Sequence, residues 1–205
     1  MANIISNCCL GAFVTRNILK TQFNNPFVWA WVNATDICYL LEKYETVDFT
    51  KFKLQKHTTT PLQDGDCFKI CVDGKITIVY SHYQFNSKYS TLCTDNVANM
   101  VYYNKIWEYV VQKYIQRVSR IPSDPPVFIL CDDRCDCGYD ADHIEKIAQS
   151  TKYKVLCFSS KPLETNNSNV FFIKHNGNDL HGILENYSDE IYAFLTSSNS
   201  NGKAL

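Results

Sequence analysis

A chain of 205 residues that is 45% hydrophobic and 14% aromatic can bury a full core as one domain, at most with a small appendage. Lysine and arginine number 20 against 21 acids, so the net charge of -1 offers no basic footprint for nucleic acid or an anionic membrane. No run reaches the ~18 apolar residues of a membrane span, and MANIISNCCLGAF lacks the basic start and cleavage site of a secretory signal, which points to the cytoplasm.

The first apolar segment, Asn3 to Asn7, is short and β-branched and breaks into small residues before Gly11, which reads as a buried strand followed by a turn. After Asn24-Asn25-Pro26, the run from Phe27 to Val32 reads as a second strand. Asn33 to Asp36 then supply N-cap residues for a helix through Leu40, Leu41 and Tyr44. Cys67 to Val72 and Lys75 to Tyr80 are β-type runs separated by Asp73-Gly74, a strong hairpin signal. From Thr94-Asp95 a helix is predicted, with Val97, Val101, Ile106, Val110, Tyr114 and Val118 forming its apolar stripe before Pro122.

The remainder alternates: strand Val127 to Cys131, helix about 140–149, strand Lys154 to Phe158, strand Val170 to Lys174, helix about 180–195. Such alternation beside an antiparallel hairpin predicts an α/β domain with a mixed central sheet flanked by helices. The tail from Thr196 has linker composition, as in a domain of a longer chain. Cys38, Cys71, Cys93 and Cys157 sit singly in apolar runs and read as reduced core thiols.

In open α/β sheets, ligands settle outside the carboxyl ends of the strands. Ser6-Asn7, Ser81-His82 and Asp132-Asp133 all follow such ends. The aspartate pair supports two readings. Its carboxylates can cap the next turn, or they can hold Mg²⁺ or Mn²⁺, which joins one or two protein carboxylates to substrate phosphates. Arg134 beside them is either a phosphate ligand or an ordinary surface residue. Asp64-Gly65-Asp66 is a literal D-x-D but precedes a strand and reads as a turn. Cys131, Cys135 and Cys137 lack the paired spacing of a zinc site. His82 is a structural residue or a base. Arg117 and Arg120, at i,i+3 spacing, form a solvated helix face or a grip for a diphosphate.

The segments IISNCCLGAFV, NNPFVWAWVNATDICYLLEKY, ITIVYSHY, KYIQRVSRI, VFILCDD and YKVLCFSS resemble, in the same order, the exopolysaccharide and capsular polysaccharide biosynthesis domain family. Its pattern runs I-S-N-x-C-x-G, then S-P-F, a strand ending in H-Y, and W-x-x-R-x-x-R-I. The chain is also similar to the N-terminal glycosyltransferase domains of multidomain chlorella-virus enzymes that build the glycan on the major capsid protein. Asn25-Pro26-Phe27 stands where the family has S-P-F, and Tyr114 where it has tryptophan.

The resemblance implies a single GT-A-like nucleotide-sugar-binding domain over residues 1–196 with a linker-like tail at 197–205. It also implies a UDP-sugar donor, a glycan or glycoprotein acceptor, Mn²⁺ or Mg²⁺, and host cytoplasm as the compartment of a viral protein. By the same resemblance Asp132 and Asp133 are metal ligands, Ser6 and Asn7 lie by the nucleotide, and His82, Arg117, Arg120 and Arg134 belong to the donor site. Asp132-Asp133-Arg134 lacks the second aspartate of a literal D-x-D, which leaves the identity of the metal-binding carboxylates open. An inverting enzyme would need a base, for which Asp136, Asp140 or His82 are available, whereas a retaining one needs none. Two rivals share these residues: a non-catalytic module that stacks carbohydrate on Trp29 and Trp31, and a metal-dependent phosphohydrolase.

Overall fold

Asn3, at the start of the first strand, pairs with Pro126, so the chain makes a long excursion before closing its parallel sheet. The computed structural model describes residues 3–7, 10–21, 25–28, 30–57, 67–80, 97–131, 146, 149, 151–160, 164–175 and 180–197. In chain order the described elements begin with β1 (Asn3–Ser6), α1 (Leu10–Phe13) running into a π-helical turn (Val14–Ile18), β2 (Trp31–Val32) and α2 (Ala34–Lys43). They continue with β3 (Phe52–His57), β4 (Cys67–Val72), β5 (Ile76–Tyr80), α3 (Val97–Val118) and β6 (Pro126–Cys131). The last are β7 (Lys154–Ser159), β8 (Val170–Lys174), α4 (Leu180–Asn186) and α5 (Ser188–Thr196).

Instead of the one mixed central sheet expected, the described strands form two separate four-stranded sheets, because the antiparallel hairpin pairs with β2 and β3 and not with the parallel strands. One is parallel, in the order β1-β6-β7-β8. The other is antiparallel, in the order β2-β5-β4-β3. Because the β-strand repeat is two residues, the buried parallel strands send alternate side chains to opposite faces. Ile4, Val127, Ile129, Leu156 and Phe158 meet α1, α4 and α5 through Leu10, Val14, Leu184 and Ile191. Ile5, Phe128, Leu130, Val155 and Cys157 meet α2, α3 and the antiparallel sheet through Ile37, Tyr114, Phe68 and Ile70.

Several local features follow the sequence closely. Asn33 caps α2, its Oδ1 accepting the Asp36 N–H at 2.8 Å. The hairpin closes at Asp73 and Gly74 with φ of 51° and 67°, the left-handed conformation that a tight mirror-image turn demands. Lys146 and Gln149, in the segment expected to be helical between β6 and β7, are helical.

Three other expectations need correction. Among the described residues of the run from Phe27 to Val32, only Trp31–Val32 is strand. Asn25 Oδ1 accepts the N–H groups of Phe27 and Val28 at 2.9 and 3.1 Å, which folds that part into a buried turn. β3 was not anticipated, although Phe52-Lys53-Leu54-Gln55 alternates with the period of a strand and pairs with β4. The expected last helix is divided into α4 and α5 at Tyr187, while the Ile191 N–H still donates to the Tyr187 carbonyl.

Asp36 links α2 to the antiparallel sheet, one carboxylate oxygen accepting the Thr77 N–H at 2.8 Å and the Asn33 amide at 3.0 Å. Burial pushes its carboxyl above the ordinary value of 3.8, outweighing those two hydrogen bonds. Folding therefore favours the protonated acid, a contribution that is full below the ordinary value and is lost as pH rises through the raised one. Asp36→Asn keeps an acceptor for Thr77 and removes the titration. Urea denaturation at pH 3 and pH 7 is expected to show the stability difference between variant and parent moving in the variant's favour as pH rises; movement the other way would contradict this account.

Candidate functional site

Parallel pairing puts the last residues of β1, β6, β7 and β8 along one edge of the sheet. Beyond β1 the chain enters α1, while the Val32 N–H of β2 donates to the Asn7 carbonyl at 3.4 Å. β6 is followed in the sheet by β7, on the side away from β1. The carboxyl ends of the strands are the usual ligand position in open α/β sheets.

Two of the residues expected near a nucleotide, Ser6 and Asn7, lie at this edge and are almost wholly buried. Ser6 Oγ accepts the Gly11 N–H at 3.3 Å. A Cβ at Gly11 would fall 2.6 Å from Ser6 Cβ, so the I-S-N-x-C-x-G spacing lets the start of α1 lie directly against β1. Asn7 extends the sheet beyond β1. Its Nδ2 donates to the Cys131 carbonyl at 2.9 Å, its Oδ1 accepts the Cys131 N–H at 3.1 Å, and its own N–H donates to the Ile129 carbonyl at 3.3 Å. The next residues in the chain after Cys131 are Asp132 and Asp133.

The same edge carries residues that the sequence reading did not select. Ser159 ends β7 and is buried, and the buried His175 follows β8, its N–H donating to the Ser159 carbonyl at 3.0 Å. In register, Cys131, Phe158 and Ile173 form one row, so Ser160 and His175 come two residues later on adjacent strands. Their signal was available: both directly follow apolar β-type runs, as Ser6-Asn7 and Asp132-Asp133 do.

The two arginines lie elsewhere. Tyr114 of α3 donates its hydroxyl to the Phe49 carbonyl at 3.1 Å. Phe49 stacks near Tyr44, whose hydroxyl accepts from Asn3 Nδ2 at 2.7 Å, and Tyr44 also meets Tyr153, which directly precedes β7. Asn3 and Tyr153 mark the edge where the strands begin, so the end of α3 belongs to the side opposite Asn7. Arg117, in the last turn, is 7% exposed, while Arg120 lies past the helix end in an exposed turn with its N–H on the Arg117 carbonyl at 3.2 Å. The i,i+3 spacing does not yield one face because the helix stops at Val118.

A cleft of about 630 Å³ on this same strand-start side is lined by Asp124, Pro126, Lys154, Tyr192 and Ser197. Lys154, the first residue of β7, is 7% exposed and directs its ammonium to the Phe194 carbonyl at 2.6 Å and to the carbonyl and hydroxyl of Ser197. It thereby caps the carboxyl end of α5, where the helix dipole favours a cation. Burial pulls its pKa down.

Asp132, Asp133, Arg134, Asp136, Asp140 and His82 lie outside the described residues, as do Asp64, Asp66, Cys135 and Cys137. Among the described residues no group of three or more His, Cys, Asp or Glu could hold a metal ion. The oxygen donors of Asp132 and Asp133 suit Mg²⁺ or Mn²⁺ by their chemistry, and Cys131 is packed with Ile129 and Phe158 in the apolar layer.

A parallel sheet joined to an antiparallel sheet and flanked by helices makes this an α/β protein. Residues 1–196 match the family described as "Domain of unknown function (DUF1919)", and the chain belongs to that family. No curated protein matches the chain. Among the described residues no helix is long and apolar enough to cross a membrane.

Lys154→Met keeps the apolar stem and removes the cap on α5. Urea denaturation is expected to show a loss of about 2 kcal/mol, the scale of hydrogen bonds to a charged group. Parental stability would mean that the ammonium does not hold the helix end.

Proposed function

We propose that the chain is a metal-dependent glycosyltransferase with a GT-A-like fold. It transfers a hexose or deoxyhexose, of glucose or rhamnose type, from a UDP-sugar to a growing glycan on a viral capsid protein. The observation that carries this reading is the edge where β1 and β6 end, with Asp132 and Asp133 next in sequence after Cys131, which Asn7 holds by two hydrogen bonds. The resemblance of IISNCCLGAFV and VFILCDD to polysaccharide-biosynthesis domains supports it.

The chemistry asked of such a site is electrostatic. Departure of UDP leaves negative charge on the diphosphate, and groups that meet that charge stabilise the transition state more than the ground state. A divalent cation, when bound, supplies most of the neutralisation, and Asp132 and Asp133 are the residues that would hold it. Arg117 and Arg120 take no part in this reading, because they belong to the opposite side of the sheet.

Calorimetric titration of UDP-sugars and GDP-sugars with Mn²⁺ and with EDTA tests the proposal, repeated on Asp132→Ala and Asp133→Ala. UDP-sugar binding that needs metal and falls at least about tenfold in one of the variants is expected. Unchanged binding in both variants would move the metal elsewhere, and no nucleotide-sugar binding would end the transferase reading. With an acceptor glycan present, binding without turnover would indicate a carbohydrate module, and phosphate release from any sugar phosphate would indicate a phosphohydrolase.

A further inference from the structure

The antiparallel sheet turns one face to the core: Val32, Ile78, Ile70 and Leu54 join the apolar cluster that contains Phe27 and Leu40. Side chains alternate along a strand, so Trp31, Val79, Lys69 and Gln55 point the other way. Register sets these four in one row across all four strands, with Trp31 opposite Val79, Val79 opposite Lys69 and Lys69 opposite Gln55. Three strand spacings make the row about 14 Å long. Trp31, Val79 and Lys69 are half-buried and Gln55 is exposed. Of the two tryptophans that the sequence offers for carbohydrate stacking, Trp31 opens this row and Trp29 lies outside the described residues.

The same face carries positive charge. The exposed Lys53, opposite Cys71 in the adjacent row, is a diagonal neighbour of Lys69. Other lysines of this sheet are paired, Lys51 with Asp48 and Lys75 with Asp73. Neither Lys53 nor Lys69 has an acidic partner among the described residues. Lysine on an edge strand such as β3 guards against stray strand pairing, but Lys69 belongs to β4, between β3 and β5, where that explanation does not apply.

We propose that this face binds an anionic oligosaccharide, with a sugar ring stacked on Trp31 and its acidic groups on Lys69 and Lys53. A sugar ring has an apolar C–H face and a rim of hydroxyls. The indole matches the first, while the Gln55 amide and the two ammonium groups match the hydroxyls and the negative charge. An acidic peptide would instead add a strand along the β3 edge, which calls for neither Trp31 nor a row that crosses the strands. The Val32 N–H donates to the Asn7 carbonyl, so the Trp31 end of the row lies beside the end of β1. Use of this face to hold the acceptor rests on the transferase reading, whereas the binding itself does not.

Hexameric oligogalacturonate, maltohexaose, hexaglutamate and hexauridylate are each titrated calorimetrically into the full chain at low ionic strength, without metal or nucleotide-sugar. Oligogalacturonate is expected to bind, more weakly as salt rises. Its affinity is expected to fall at least about threefold in Trp31→Ala and in Lys69→Gln and to stay parental in Lys113→Gln on α3. Lys69→Gln serves if circular dichroism shows that Trp31→Ala does not fold. Equal affinity for maltohexaose would overturn the anionic class of ligand, and tighter binding of hexaglutamate or hexauridylate would make the face a peptide or RNA surface instead. Absence of oligogalacturonate binding, or parental affinity in both variants, would overturn the proposal. None of these outcomes touches the test on Asp132 and Asp133, and failure of that test leaves this one standing.

Discussion

The buried carboxamide of Asn7 connects parts of the chain that are far apart in sequence. Its side chain pairs with Cys131, its N–H reaches Ile129 and its carbonyl receives Val32, so β1, β6 and β2 meet at one residue. An unpaired polar group in so dry a place would cost about 1–3 kcal/mol. Here each polar group of Asn7 has a partner, and the partners lie in different sheets. The join between the parallel and antiparallel sheets therefore lies at the carboxyl ends of β1 and β6.

The opposite end of β1 is held by the same kind of chemistry. β1 pairs with a strand only on its β6 side, and its other flank still has backbone groups to satisfy. Asn25 Nδ2 donates to the Ile4 carbonyl and to Asn3 Oδ1, and Asn3 in turn donates to the Tyr44 hydroxyl. Three buried asparagines thus bracket a four-residue strand, Asn3 and Asn25 at its start and Asn7 at its end. This gives the sequence NNPF a structural meaning: Asn25 ties β1 down, Pro26 follows in the turn, and Phe27 enters the core against Phe49.

What could be read from the sequence was what depends on local pattern. Continuous apolar runs gave β6, β7 and β8, Asp73-Gly74 gave the hairpin, and Asn33 gave the start of α2. The rest depends on partners distant in sequence. The buried turn at Phe27-Val28 looks like a strand until Asn25 is seen capturing their N–H groups. Arg117 and Arg120 look paired until the helix is found to stop between them. Asn7 was found by its place after a strand, but its inward direction depends on Cys131, over a hundred residues away and supplied only by the parallel pairing of β1 with β6. The proposed metal ligands and the proposed bases were legible as motifs alone.

The central claim is that ligand chemistry belongs to the edge where the parallel strands end. A six-residue strand such as β6 spans about 20 Å, far enough for a paramagnetic ion to distinguish its two ends. The decisive measurement is amide resonance broadening in ¹⁵N-labelled protein during a sub-stoichiometric titration of Mn²⁺ with UDP present. The account predicts steepest broadening at Ser6, Asn7, Cys131 and Ser159, with Arg117, Lys154 and Tyr192 least affected. Broadening centred on Arg117 or on the Lys154 cleft would contradict it.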